Sequence, residues 1–214
     1  MTFVHHLDDA TILAYAAGTL GEALSVAAAC HISMCPECRT AVRKAEALGG
    51  EILDDLQISA VSDVCRAATF ASLYDMVAVK PVIIKGDMPS PLQRLLGGQD
   101  FAQLRWRKKA PGVAVYELPL SKNAKGSLKL VSIAPGMTML EHGHGGEELT
   151  LVLKGAFKDK VGRFSRGDIA DLDEDTEHCP IIEEGETCIC LYATEAPSLF
   201  KTWIGRLLQP FLGI

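Results

Sequence analysis

Three residues within a short stretch, His31-x3-Cys35-x2-Cys38, carry side chains that bind metal ions through nitrogen or sulfur. On one continuous helix, positions i, i+4 and i+7 share a face, so one imidazole and two thiolates could converge on a single ion. Zinc prefers four such ligands in a tetrahedron. We expect the fourth ligand from the start of the chain, where we favour His6 and keep the adjacent His5 as the alternative. A closed site of this kind is structural, so the zinc would hold together small helices that have too little core to fold alone.

A second set of candidate ligands occupies the other half of the chain, in the pattern Gly136-x5-His142-x-His144-x3-Glu148-x6-Gly155. His142 and His144 are two residues apart, so on a strand they face the same way. Glu148 begins the next strand run and could return to the same pocket. This spacing resembles the first motif of the cupins. The Gly167-Asp168 turn and His178 are similar to the second cupin motif, which implies that His178 is the last ligand; the usual proline before Gly167 is absent.

The elements that must position the first set are helical. We predict a helix from about residue 10 to 19 capped by Asp8 or Asp9, and a second that ends at Gly49-Gly50. A third, apolar on most sides, is predicted from about residue 62 to 79 and must be covered by something. Cys30 lies about 100° away from the ligand stripe of the second helix and is not expected to bind the ion. That stripe is formed by Leu24, Ala28, His31, Cys35, Cys38 and Val42.

The remaining elements predict an α+β protein of two domains. Residues 1–80 would form a small zinc-bound helical bundle. Residues 81–98, which are rich in Pro and Gly, would form a linker with a short helical turn near its end. Short β-rich runs then predict an antiparallel β-barrel of the cupin type over residues 99–214.

Composition restricts the partners. The 214 residues carry a formal net charge of −6, which argues against direct binding of nucleic acid. We find neither a signal peptide nor an apolar run long enough to cross a membrane. The seven cysteines are therefore expected to serve metal or redox chemistry in the cytoplasm.

Together the two motifs resemble one family, the ChrR-type anti-sigma factors, over nearly the whole chain. The likeness includes the stretches 147–157 and 188–191 and the tail Gln209-Pro210-Phe211. The resemblance implies zinc held by His6, His31, Cys35 and Cys38 in a domain that inhibits an extracytoplasmic-function sigma factor as a 1:1 heterodimer. It also implies a second zinc in the cupin domain, which would be needed for release of the sigma factor under singlet oxygen and related oxidants. The ligands that it implies there are His142, His144, Glu148 and His178.

We therefore predict a regulator of transcription, not an enzyme, whose apolar helical surface blocks the polymerase-binding face of the sigma factor. Cys188 and Cys190 alternate onto one face of a strand and are candidates for redox sensing, although two small core residues would show the same pattern. One alternative is a cupin metalloenzyme of the dioxygenase or isomerase class with an accessory zinc module. Another is a cupin sensor that binds a small molecule and thereby frees the sigma factor.

Overall fold

The computed structural model describes residues 3–74, 88–139, 142–143, 145–173, 176, 179–196 and 199–200. In these ranges, helices come first and strands follow. The helices are α1 (Asp9–Ala16), α2 (Glu22–Met34), α3 (Pro36–Asp54), α4 (Asp63–Tyr74) and α5 (Ser90–Leu95). The strands are β1 (Arg107–Ala110), β2 (Val113–Glu117), β3 (Ser127–Ile133), β4 (His142–Gly143), β5 (Glu148–Lys154), β6 (Ala156–Lys158), β7 (Arg163–Ser165), β8 (Ile169–Leu172), β9 (Ile181–Ile182), β10 (Cys188–Thr194) and β11 (Leu199–Phe200).

The second predicted helix is two helices, so the prediction that one continuous stripe carries His31, Cys35 and Cys38 was wrong. Cys35 has an extended backbone, with φ −94° and ψ 112°, and separates α2 from α3. The cause is Pro36, which disfavours helical geometry at the preceding residue but is well suited to the first position of a new helix. The break places His31 in the last turn of α2 and Cys38 in the first turn of α3.

The predicted stop at Gly49-Gly50 was also wrong, because α3 continues through both glycines to Asp54. A glycine in a helix costs about 1 kcal/mol relative to alanine, which weakens a helix without ending it. Both glycines border open space: a Cβ added at either position would meet nothing within 4 Å. The predicted first helix is observed over a shorter range, with Asp8 as its N-cap and an Asp8 side chain that accepts a hydrogen bond from the Thr11 N–H.

The β half has a cupin-like fold made of three antiparallel sheets. Six strands form the largest, in the order β1-β2-β3-β10-β5-β8; a second has the order β7-β6-β9, and the third pairs β11 with β4. The predicted cupin fold class is confirmed, and within the ranges that the structure describes the sheets do not close into a barrel.

Helix α2 packs directly against the large sheet. Its buried face includes Leu24, Ala27 and Ala28, and these share one hydrophobic cluster with Leu130 and Leu151 of the strands. Small alanine side chains let the helix approach the sheet closely, and burial of the shared apolar surface stabilises the contact between helices and strands. The helical part and the β part are therefore joined through a common core.

Helix α5 lies inside the range predicted as a linker. It packs against α2, and its Leu92 is fully buried in the shared cluster. The domain boundaries at 80 and 98 stay a prediction, but the described end of that linker is part of the core.

Helix α4 and the end of α3 differ from the rest because their apolar side chains are exposed. Phe70 of α4 is 59% exposed and Ile52 of α3 is 60% exposed. Among the helices in the described part of the chain, none is long and apolar enough to cross a membrane.

Candidate metal centre

Four side chains from three segments converge at the junction of α2 and α3. They are His6, from the extended segment before α1, with His31, Cys35 and Cys38, and each offers a ligand atom within 4.8 Å of the others. The His31 Nε2 atom lies 3.2 Å from the Cys38 Sγ atom. The His6 Nδ1 atom lies 3.3 Å from the Cys35 Sγ atom and 3.6 Å from the Cys38 Sγ atom. The predicted spacing thus brings the residues together, although across a break between helices.

The separations suit a tetrahedral metal ion. With bonds of about 2.0–2.3 Å, as for nitrogen and sulfur on zinc, the ligand atoms of a tetrahedron lie roughly 3.3–3.8 Å apart. The closest measured separations are 3.2, 3.3 and 3.6 Å. An ion could therefore be held by these four atoms with little movement of the chain.

The structure places His6, and not the alternative His5, in this group. The imidazole of His5 stacks on Phe164 with ring centroids 4.0 Å apart. Its Nε2 atom makes a 3.0 Å hydrogen bond with the Arg163 carbonyl oxygen. His5 therefore packs against the β part of the protein.

Both imidazoles of the site are oriented by a partner on their other nitrogen. The His31 Nδ1 atom lies 2.9 Å from the Gly167 carbonyl oxygen, and the His6 Nε2 atom lies 3.0 Å from a Glu37 carboxylate oxygen. Histidines that bind metals commonly donate their other N–H to a carbonyl or carboxylate, which fixes the ring orientation. Sequence reasoning did not identify either partner. The position of Glu37 between two candidate ligands was a usable signal, whereas the Gly167 contact spans 136 residues and had none.

Burial favours the neutral forms of Cys38 and His31. It raises the pKa of the Cys38 thiol to about 12, an effect to which the neighbouring Cys35 adds. Burial also lowers the pKa of His31 to about 4, so its imidazole is in the neutral form that binds metals. The Cys38 thiol would ionise more readily with a positive charge beside it, which a divalent ion supplies.

The second predicted set is only partly within the described residues. Glu148 begins β5, is 1% exposed, and accepts a 3.1 Å hydrogen bond from the Thr150 hydroxyl. His142 lies on β4, where it pairs with Phe200, but its side chain is outside the described part, as are His144 and His178. Glu148 lines a small apolar cavity between the sheets, where a neighbouring cation would stabilise the buried carboxylate.

Cys188 and Cys190 lie on the same face of β10, as their spacing predicted. Both are buried, and their Sγ atoms are 3.6 Å apart. The contact with Cys188 and burial raise the pKa of Cys190 well above its usual value, so Cys190 is a neutral thiol. Cys190 also lines the cavity that contains Glu148.

The fold and the site define a two-part protein, in which a small helical module with a His2Cys2 site packs on a cupin-like β domain. The family described as "ChrR Cupin-like domain" matches residues 97–197. The anti-sigma-E factor ChrR of Cereibacter sphaeroides is 40% identical over 216 aligned positions, which cover the full length of both chains.

A solved structure agrees with this match. The crystal structure of Rhodobacter sphaeroides SigE in complex with the anti-sigma ChrR has a chain of 40% identity, with a TM-score of 0.77 over 90% of this chain and all of that one. The chain belongs to the ChrR family of anti-sigma factors. This membership supports a regulatory role and not the metalloenzyme that the cupin motif alone would also allow.

Proposed function

We propose that the chain is a cytoplasmic anti-sigma factor, which binds an extracytoplasmic-function sigma factor as a 1:1 heterodimer and keeps it from RNA polymerase. The observation that carries this proposal is an apolar surface exposed on the helices attached to the His2Cys2 site. The full-length similarity to ChrR, whose solved complex contains SigE, supports it.

Exposed apolar side chains recur along the second half of α3, just after its end at Leu56, and along α4, and these side chains make up the apolar surface. Soluble proteins rarely expose contiguous apolar patches without a partner, and an amphipathic helix typically buries such a face in a groove of that partner. Each of its members is more than half exposed in the described part of the chain: Leu48, Ile52, Leu53, Leu56, Val64, Phe70 and Leu73.

The proposal is tested by mixing the full chain with its cognate extracytoplasmic-function sigma factor. Size-exclusion chromatography with light scattering should show one 1:1 complex, and that complex should not start transcription with core RNA polymerase. Two separate species, or transcription unaffected by the chain, would contradict the proposal.

We infer that the metal in the His2Cys2 site is zinc. Two nitrogen and two sulfur ligands in a closed tetrahedron are typical of structural zinc sites. When bound, zinc supplies positive charge that stabilises two thiolates. The chain's own residues do the rest: His6 attaches the N-terminal segment, His31 attaches α2, and Cys35 and Cys38 attach the start of α3. The site thereby fixes the orientation of α3 and the apolar surface that follows it.

A second metal site is proposed in the cupin-like domain, with His142, His144, Glu148 and His178 as ligands. Replacing Glu148 with glutamine should lower the metal content of the purified full chain from about two ions to about one, because the amide is a poor ligand for such ions. Elemental analysis measures this directly. Glu147→Gln is the matched control, since Glu147 is the exposed neighbour, and it should keep both ions. An unchanged metal content in Glu148→Gln would reject this carboxylate as a ligand.

We further propose that an oxidant acting on Cys188 and Cys190 contributes to release of the sigma factor. A hydroperoxide could oxidise the two thiols to a disulfide, while its O–O bond breaks to give an alcohol and water; two electrons pass from the thiols to the peroxide. The Sγ atoms, now 3.6 Å apart, would have to approach to about 2.05 Å, which shifts β10 beside the cavity.

Changing both cysteines to serine should leave sigma-factor binding intact and slow hydroperoxide-induced dissociation of the complex at least several-fold. Cys179→Ser serves as the control because the Cys179 thiol donates to the Met139 carbonyl oxygen. Dissociation of the double variant at the wild-type rate would assign Cys188 and Cys190 to the core alone.

A further inference from the structure

We propose that the cupin-like domain positions the His2Cys2 site directly, through the carboxylate of Asp168 and the carbonyl oxygen of Gly167. The first contact is made with the N-terminal arm, defined as residues 3–8, which contains His6. One oxygen of Asp168 accepts hydrogen bonds from the N–H groups of Val4 at 2.7 Å and His5 at 3.2 Å. The arm is thus attached to the β domain at the two residues that precede the metal ligand.

The other oxygen of Asp168 is held by the β domain itself. It accepts hydrogen bonds from the N–H and the hydroxyl of Ser165, both at 2.9 Å. Burial would raise the pKa of Asp168, but the hydrogen bonds from Ser165, Val4 and His5 lower it, and the lowering prevails. One oxygen of this buried carboxylate bonds to the arm and the other bonds to the β domain. The connection is rigid, because breaking the hydrogen bonds of either oxygen leaves a buried charge without its partners.

The next residue in the same turn contacts the site from the other side. The Gly167 carbonyl oxygen is the partner of His31 Nδ1, at 2.9 Å. The ring of Phe3 lies over Gly167 so closely that an added Cβ would be 1.9 Å from the Phe3 Cε1 atom. Gly167 also has φ +95°, a conformation that L side chains rarely adopt. The turn between β7 and β8 therefore positions ligands from two different segments.

A row of stacked rings connects this contact to the cavity of the β domain. His5 stacks on Phe164, and Phe164 stacks on Phe157 with ring centroids 4.9 Å apart. Phe157 lines the cavity that also contains Glu148 and Cys190. Close-packed interiors transmit displacements, so a rearrangement at the cavity can move the arm without involving the segment between α4 and α5.

Asp168 and Gly167 are accordingly positioning residues for the metal site. When the turn between β7 and β8 moves, His6 and His31 lose their orientation together and the ion becomes easier to extract. The further step, from a loosened site to release of a sigma factor, rests on the proposed function.

The test uses the full chain loaded with Co²⁺, whose cobalt–thiolate absorption reports the site with Cys35 and Cys38. In Asp168→Asn, an amide N–H₂ group replaces one carboxylate oxygen, so the donors that bonded to that oxygen lose their acceptor. Extraction of cobalt by a chelator should become roughly 10- to 100-fold faster, the usual cost of losing a group that orients a metal ligand. The matched control is Asp159→Asn, whose carboxylate accepts from the N–H groups of Val161 and Gly162 within the β domain.

A second variant covers the case in which Asp168→Asn does not fold. Phe3→Ala changes only the arm, so the β domain is unaltered, and extraction should again accelerate. Wild-type extraction rates in both variants, or in Phe3→Ala if it alone folds, would overturn the proposal. The affinity of the unstimulated chain for the sigma factor is measured separately: a wild-type chain that does not bind would reject the proposed function, while the extraction rates would still decide the positioning role.

Discussion

Replacing Cys38 with alanine is expected to remove one metal ion per chain and to weaken binding of the sigma factor at least about 100-fold. Structural zinc sites contribute about 10–16 kcal/mol in small zinc-dependent peptides, which equals or exceeds the whole stability of a typical domain. Here the site joins the N-terminal arm, α2 and α3, and it adds to the packing of α3 on α1 and α2. Elemental analysis and a titration with the sigma factor measure the two effects.

The control for this variant is Cys30→Ala. Cys30 is also fully buried, but it lies in the contact between α2 and α5, where the Leu92 backbone is its hydrogen-bonding neighbour. It should retain the metal and the affinity for the sigma factor. A Cys38→Ala chain with a full metal content and wild-type affinity would show that the site is not needed to hold the module together.

The second large effect is expected at the exposed apolar surface. Phe70→Asp should lower the affinity for the sigma factor by about 100-fold or more, since aromatic side chains at the centre of an interface commonly contribute 2 kcal/mol or more. The melting temperature of the free chain should change little, because Phe70 is 59% exposed and few contacts are lost. Isothermal titration calorimetry and thermal denaturation separate the two quantities.

Val161→Asp is the matched control for the apolar surface. Val161 is 49% exposed and lies between β6 and β7, away from α3 and α4. It should bind the sigma factor normally. Equal affinities for Phe70→Asp and Val161→Asp would place the sigma-binding surface elsewhere on the chain.

The residue types of the first site could be predicted from the sequence, but its local geometry could not. The spacing of His31, Cys35 and Cys38 fits one face of a continuous helix. In the structure the same residues meet across a helix break, with Cys35 at the N-cap of α3 and Cys38 in its first turn. Pro36 was the signal for that break, because the residue before a proline is biased away from helix. The choice between His5 and His6 was not available from sequence, since it depends on how the arm packs on Phe164.

The fold class of the β half could be predicted from its motifs. Strands form in the predicted region, and Glu148 is buried at the start of β5. The order of the described strands in their sheets could not be predicted, because local patterns give strands and not their pairing. The connection between the two halves was also missed. The hydrogen bonds of Asp168 with the N-terminal arm and of Gly167 with His31 pair residues more than 130 positions apart, so no local pattern could predict them.

The central claim is that a metal-held helical module presents the surface that binds the sigma factor. It is tested most directly by titrating the sigma factor into the full chain before chelation, after removal of the metal, and after reloading with one equivalent of zinc. We predict 1:1 binding that is lost when the metal is removed and restored by zinc in the wild-type chain, but not in Cys38→Ala. Equal affinity in the metal-free and zinc-loaded chains would contradict the claim.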